Sequence, residues 1–342
     1  MADNEPVLTV ENLKAYYQLG LFGINREVRA VDDVTLEIRR NEIYGIAGES
    51  SSGKTSLIKT LAAAIRPPLR VVDGKITYRF GDLVIDPYAA SKAEVDAIRW
   101  KNLSYIMQGS MSVMNPVRRV RKTFEDFAMK PMGVPRKEFY RRVEAHLDRL
   151  GLPAEVLSAY PHQLSGGMRQ RATIAVATVC RPEFIIADEP TTALDVVVQK
   201  DVLAMIRNVQ QEMGSSVVFV THDMSVHANI ADRIAIVYAG RIVEEAPTRT
   251  IFTAPKHPYT SHLVGSLPRI GDVTQKAALE GKPPNLAEPP PGCRFHPRCP
   301  LAIDKCRAEV PPLVNVGSDH RSACWRADEV RPPQALGTEV PA

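Results

Sequence analysis

No apolar run in this chain approaches the roughly 18–20 residues that a membrane-spanning helix needs. Charge of one sign is not in surplus either. Lys+Arg number 43 against 39 for Asp+Glu, and a net +4 without a long basic run is too small for a nucleic-acid binder of this length. Heptad patterns and long internal repeats are missing, which excludes a coiled coil and a solenoid. The first residues, MADNEPVLTV, are acidic and lack a cationic segment followed by an apolar one, so no secretory signal is read there. Cysteine is scarce until late: only Cys180, inside the apolar ATIAVATVC, precedes Cys293. These absences point to a cytoplasmic protein that meets a membrane, if at all, through partners. What remains, 44% hydrophobic and 24% charged over 342 residues, is an ordinary globular composition with room for more than one folded unit.

The pattern along the chain is mixed. Residues 7–40 alternate as half-exposed antiparallel strands do, and NEIYGIAG then runs as a short buried-type strand into glycine. A helix is predicted from Lys54 to about Ile65, closed by Pro67 and Pro68. VVDGKITYRFGDLVI reads as a hairpin with turn signals at Asp73-Gly74 and Gly81-Asp82. Residues 91–180 are mostly helical, with amphipathic stretches such as RKEFYRRVEAHLDRLG. FIIAD and SVVFVTH are continuous apolar runs suited to central parallel strands, and RIAIVYAGRIVEEA to a closing antiparallel pair. After Pro255 a proline-rich connector, KPPNLAEPPPG, leads to a cysteine-bearing tail.

GESSSGKT, Gly48–Thr55, fits G-x-x-x-x-G-K-[ST] and lies between a predicted strand and a predicted helix, where that motif has a mechanism. Loop amides from Gly48 through Ser50, Ser51, Ser52 and Gly53, with Ser56 just beyond, would face phosphates. Lys54 would reach the β- and γ-oxygens, and the Thr55 hydroxyl would ligate Mg²⁺. A cradle of this kind needs a metal-orienting acid at a strand end. FIIADEP supplies Asp188 for Mg²⁺ and Glu189 to polarise the water that attacks the γ-phosphate. A second anion-binding signal, LSGGMRQR at Leu164–Arg171, is then surplus: Ser165 caps a helix whose glycines, Gly166 and Gly167, bare the backbone.

In this order, with His222 ending the SVVFVTH strand, the motifs resemble those of ATP-binding cassette (ABC) ATPases over about Val7 to Glu245. The resemblance implies an α/β P-loop (RecA-like) core with an antiparallel β subdomain and a helical subdomain at about 91–180. It also explains the two cradles. In that family two cassettes pack head to tail, and the LSGG helix of one covers the γ-phosphate in the P-loop of the other. Carried over to this chain, Tyr17 (Tyr16 in the alternative register) stacks on adenine. Gln108 senses Mg²⁺ and the attacking water and links to membrane subunits; Asp195 lies in the loop that communicates across the dimer, and His222 contacts the γ-phosphate. Two positions depart from the pattern. Ser51 stands where glycine is usual, and its Cβ crowds the turn if φ there is positive. Gly109-Ser110 follows Gln108 where peptide-importer relatives often have Asp-Pro.

Cys293, Cys299, Cys306 and Cys324 lie in GCRFHPRCPLAIDKC and HRSACW, a spacing without CxxC pairs; four thiolates suit zinc or a [4Fe–4S] cluster alike. This tail resembles the C-terminal extension of ATPases that serve oligopeptide and dipeptide importers. That resemblance favours iron–sulfur over zinc, in a stabilising role. The expectation is a nucleotide-binding domain at 5–250 and an extension at 251–342, forming an ATP-hydrolysing importer subunit for di- or oligopeptides, with oligosaccharides or nickel as alternative cargo. A soluble ABC ATPase of DNA repair or translation is the rival class, disfavoured by the single P-loop. The implied partners are a second ATPase chain (a related one favoured over an identical one), two permease subunits and an extracytoplasmic solute-binding protein. No nucleic acid is expected, and the location is the cytoplasmic face of the inner membrane.

Overall fold

The computed structural model of the chain describes residues 5–21, 24–106, 114–192, 194–267 and 279–332. In chain order its strands are β1 (Leu8–Leu21), β2 (Ile24–Ile38), β3 (Ile43–Ala47), β4 (Leu69–Phe80), β5 (Leu83–Ile85), β6 (Leu103–Ile106), β7 (Phe184–Asp188), β8 (Ser216–Val220), β9 (Arg233–Tyr238), β10 (Arg241–Pro247), β11 (Val314–Gly317) and β12 (His320–Ser322). The helices are α1 (Lys54–Leu61), α2 (Lys92–Ile98), α3 (Val120–Phe124), α4 (Lys130–Met132), α5 (Arg136–Arg149), α6 (Gly166–Thr178), α7 (Val196–Met213), α8 (Met224–Ile230), α9 (Thr248–Thr253), α10 (Pro258–Gly265) and α11 (Asp304–Ala308). Among the described residues no helix is long and apolar enough to cross a membrane. Contacts divide the chain into two compact units.

The first unit takes residues 5–9, 37–42 and 77–219. Its helices bury one face each. In α5 the buried side chains are Phe139, Val143, His146 and Leu147, the spacing of a single helical stripe. They pack with Val120, Phe124, Leu150, Ala172 and Val176 into one apolar cluster. Local sequence sets the helix ends: Ser91 and Glu94 form a reciprocal capping box on α2, and Asp195 caps α7, which stops at Gly214 with φ 66°. Strand β6 pairs in parallel with β7, from Leu103↔Phe184 to Ile106↔Ala187, and β8 lies on the other side of β7. Both β7 and β8 are buried along their whole length, as their unbroken apolar runs require.

The second unit takes residues 10–36, 43–76 and 220–332. Strand β3 pairs in parallel with β9, and β9, β10, β12 and β11 continue as antiparallel neighbours. A separate antiparallel layer has β1 between β2 and β4. The tail is part of this unit's core. Phe295 packs at 5.1 Å and 85° against Tyr238 and at 5.5 Å against Tyr259, with Leu279, Leu286, Cys293 and Cys299 around the same cluster. Two fully buried carboxylates on β10 bind the tail strand. Glu244 accepts from the backbone N–H of Lys256 and His257 and bonds His320 Nε2 at 2.7 Å, while Glu245 meets Arg233, Arg321 and the Tyr44 hydroxyl. Losing Arg233 and Arg321 together would leave the Glu245 charge buried and uncompensated.

Three local expectations need correction. Helix α1 ends at Leu61, not near Ile65, because Ala63 adopts φ 50° before the prolines arrive. Asp73-Gly74 is not a turn: β4 runs through it, and Gly74 (φ 92°) is needed because a Cβ there would lie 2.6 Å from the Asn12 carbonyl oxygen. The turn that does form is Gly81-Asp82, between β4 and β5. Strand β6 interrupts the span expected to be mostly helical; four residues are too few to show a period.

Candidate functional site

In the second unit, β3 leads through Gly48–Gly53 into α1. Gly48 and Gly53 hold φ 150° and 104°, and a Cβ would fall 2.2 Å from the Val237 carbonyl oxygen at the first and 2.1 Å from that of Ala30 at the second. Backbone touches backbone at both positions, so glycine is obligatory there. Lys54, buried at the start of α1, donates from Nζ to the carbonyls of Gly48 and Glu49, both at 2.7 Å, closing the loop on itself. Gly240 N–H donates to the Ser52 carbonyl at 2.7 Å and fixes the floor. Ser51 does take a positive φ, 62°, and is exposed; there a Cβ crowds its own backbone, so the cost is local to that residue. Thr55 is half-buried on the first turn of α1, followed by buried Ser56.

Alternation along β1 settles where the two candidate tyrosines go. Tyr17 reaches the loop side, its hydroxyl 3.1 Å from Ser56 Oγ, whereas Tyr16 donates to Asp32 at 2.5 Å. Burial alone would raise the Asp32 carboxyl; the Tyr16 hydroxyl, Arg294 and Arg241 together bring it below its ordinary range. His222 is exposed in the link between β8 and α8. Sequence reading passed over His227, wholly buried on α8. Its ring bonds the Thr221 carbonyl at 3.3 Å and lies where a Cβ on Gly45 of β3 would come within 2.6 Å of Nδ1. Burial first, and the charge of Lys54, depress it to about 4.

In the first unit, β7 ends in Asp188, which is 1% exposed and accepts from the Tyr105 hydroxyl at 3.2 Å. Glu189, next in line, has φ 46° and accepts from Thr192 Oγ1 at 2.9 Å. The LSGG segment is the N-terminus of α6. Ser165 caps it, accepting from Met168 N–H at 3.2 Å, and Ser165 and Gly166 are both exposed. A Cβ on Gly167 would touch Val198 at 3.1 Å, but at Gly166 it would meet nothing within 4 Å among the described residues. Further along α6, buried Gln170 donates to the Pro190 carbonyl at 2.5 Å, tying this helix to the segment after Glu189. Asp195 accepts from Val197 and Val198 N–H as the cap of α7. Gln108 and the Gly109-Ser110 departure lie outside the described residues.

The tail supplies residues that no motif announced. Arg298, on the turn between Cys293 and Cys299, grips Glu49 of the phosphate loop with both Nη atoms, at 2.9 and 3.2 Å. Arg294 reaches Asp32 and the Ala239 carbonyl beside the same loop. The proximal signal was GCRFHPRC itself, where an arginine adjoins each cysteine. The cysteines are free thiols. Burial, and the other thiols after it, push Cys299 up to about 11 and Cys324 up to about 12. Among the described residues no group of three or more His, Cys, Asp or Glu is arranged to hold a metal ion. The expected zinc or iron–sulfur site at Cys293, Cys299, Cys306 and Cys324 is therefore not preformed among the described residues: the four thiols as they stand do not converge as a ligand set.

The fold and loop define a P-loop ATPase of the ATP-binding cassette class. A dimeric bacterial ABC transporter cassette superposes with a TM-score of 0.59 at 25% identity, covering 71% of this chain and 99% of that one. A cassette dimer in a post-hydrolysis state, bound to ADP and Pi, gives 0.61 at 24% identity, with the same coverage. The family model described as ABC transporter matches residues 31–192, and that of the oligopeptide/dipeptide transporter C-terminal region matches 243–306. A putative peptide import ATP-binding protein of Brucella abortus is 38% identical over 337 residues, 95% of this chain and 98% of the relative. The dipeptide transport ATP-binding protein DppD of Bacillus subtilis is 36% identical over 329 residues, 95% and 96% of the two chains. The chain belongs to the ATP-binding subunits of the oligopeptide/dipeptide ABC transporter family.

Proposed function

We propose that this chain is the ATP-hydrolysing subunit of a peptide importer, docked on the cytoplasmic face of a membrane through two permease subunits. The observation that carries the reading is the loop from Gly48 to Thr55, where two glycines admit no side chain and a buried lysine waits on loop carbonyls. A triphosphate offers Lys54 stronger acceptors than those carbonyls, while the loop amides and the start of α1 complement its charge. Tyr17, beside Ser56, stacks on the adenine. Glu189 takes the proton of the attacking water, and His222 bonds the γ-phosphate. Magnesium, when bound, offsets phosphate charge; the Thr55 hydroxyl, the Asp188 carboxylate and Gln108 carry the oxygens this ion takes.

Ser165, Gly166 and Gly167 serve the nucleotide of a second ATPase chain, a related one by family resemblance, and Asp195 lies at that contact. The open space over Gly166 supports this, because nothing among the described residues of its own chain demands glycine there. Imported peptide would be handed over by an extracytoplasmic binding protein. By the resemblance of the tail to the importer extension, the four tail cysteines are read as ligands of an iron–sulfur cluster, with zinc the alternative; Cys293 N–H donates to the Cys306 carbonyl at 2.8 Å, which keeps two of them together. Cys299→Ser with metal analysis tests this: unchanged metal content and an intact tail would refute it. The whole reading is tested by purifying the complex from membranes and reconstituting it. ATP turnover that rises with added peptide is expected; a preparation without any polytopic partner would overturn the transport role.

A further inference from the structure

Glu49 is an awkward residue for a loop that binds a polyanion. A carboxylate within a few ångströms of a triphosphate repels it, by an energy that grows as water is excluded. Yet every polar group of Glu49 is engaged elsewhere. Its N–H donates to the Tyr259 hydroxyl at 2.8 Å, its carbonyl accepts from Lys54, and its carboxylate is forked by Arg298. Arg298 is itself fixed from several directions. Its Nε donates to the Glu280 carbonyl at 3.1 Å, its Nη1 reaches the Tyr238 hydroxyl at 3.3 Å, and its guanidinium lies 5.9 Å from the Tyr238 ring centroid. The side chain is only 6% exposed. Such a planar, always-charged fork holds a carboxylate in direction as well as neutralising it.

We propose that Arg298 is a positioning residue for the nucleotide: it turns and neutralises the Glu49 carboxylate, so that an acidic loop can accept a triphosphate. The C-terminal extension is in this way a working part of the phosphate site. The idea rests on the reading that Gly48–Thr55 binds ATP.

A double-mutant cycle on the full-length chain separates this from a merely structural tie. The readout is equilibrium binding of a fluorescent ATP analogue, with thermal melting recorded alongside. Arg298→Ala is expected to weaken binding about tenfold in the native background, close to 1.4 kcal/mol. In a Glu49→Gln background the same change should cost less than about threefold, because no like charge is left to release. Added salt should shrink the first penalty. An equal loss in both backgrounds would overturn the proposal, as would native affinity in Arg298→Ala. If Arg298→Ala does not fold, Arg298→Lys in the two backgrounds decides by the same comparison, since lysine keeps the charge and loses the fork. A native chain that binds no nucleotide at all would instead refute the reading of the loop.

Discussion

The phosphate loop and the LSGG segment are both helix N-termini built from serine and glycine, but they are finished differently. Around the loop each glycine is pressed against a backbone carbonyl, the lysine is bound, and the acidic side chain is forked by the tail. The LSGG end is exposed, satisfied by one serine cap, with empty space where a side chain on Gly166 would go. One is complete within a single chain. At the other, nothing among the described residues accounts for the glycine at 166, as expected if it awaits a second chain.

Substituting the glycines should break this comparison most sharply. Gly53→Ala places a methyl 2.1 Å from the Ala30 carbonyl oxygen, so the chain is expected to lose ATP binding by more than about a hundredfold and to melt earlier. Gly166→Ala should leave the isolated chain's melting and ATP affinity unchanged, but stop the ATP-driven pairing of two cassettes, read by size-exclusion chromatography or light scattering. Equal damage from both changes would mean that the two ends do the same job.

Glu189→Gln comes next. Loss of a general base is expected to cut turnover by roughly 10²–10⁴, with ATP affinity kept. Closed pairs should then accumulate, because the loop still loads and the partner's helix still covers the γ-phosphate. A variant that turns over normally would remove Glu189 from the chemistry. One that fails to bind ATP would make it part of the cradle.

The loop was legible because its chemistry is local. Gly48, Gly53 and Lys54 answer to a backbone that must curl around phosphate within eight residues, and Asp188-Glu189 to the end of a buried strand. The cap at Ser165 was equally readable. What surrounds them was not. Arg298 meets Glu49 across 249 positions, and Arg294 meets Asp32 across 262, distances over which no period or spacing carries a signal. The same applies to β11 and β12, too short to show alternation: β12 is held by pairing with β10, and β11 by pairing with β12. Gly74 misled for a related reason: glycine marks a turn or a close approach, and only the neighbouring β1 backbone decides between them.

Acid should act on both regions, with a smaller effect. His146 among the helices is depressed to about 4, and His227 and His257 in the loop's unit to about 4 and about 3, by burial in each case. Their folded forms stay neutral after the unfolded forms, near 6.5, have begun to take up protons. Stability is then full above pH 6.5 and falls as pH drops towards 4, at most about 1.4 kcal/mol per pH unit for each histidine. Two of the three lie in the loop's unit, where the His257 ring also caps α10 by accepting from Tyr259 N–H at 3.1 Å. Hydrogen exchange from pH 7 to 5 should therefore show protection falling faster around α8 and α10 than in α5. The opposite order would contradict the burial argument.

The smallest effect concerns Ser51, the one loop position where the family's usual glycine is replaced. A non-glycine residue at φ 62° costs roughly 1–2 kcal/mol relative to the right-handed region. Ser51→Gly would relieve that strain, but the freer glycine chain also gains roughly 0.4–1 kcal/mol of entropy on unfolding. The net gain is about 0.8 kcal/mol, a rise in melting temperature of roughly 1 °C for a chain of this size. Because Ser51 is exposed, its side chain blocks nothing, and ATP affinity should change less than about twofold. A tenfold gain on the same substitution would mean that serine distorts the cradle. The loop would then be finished only when nucleotide reshapes it, and the contrast with the LSGG end would narrow.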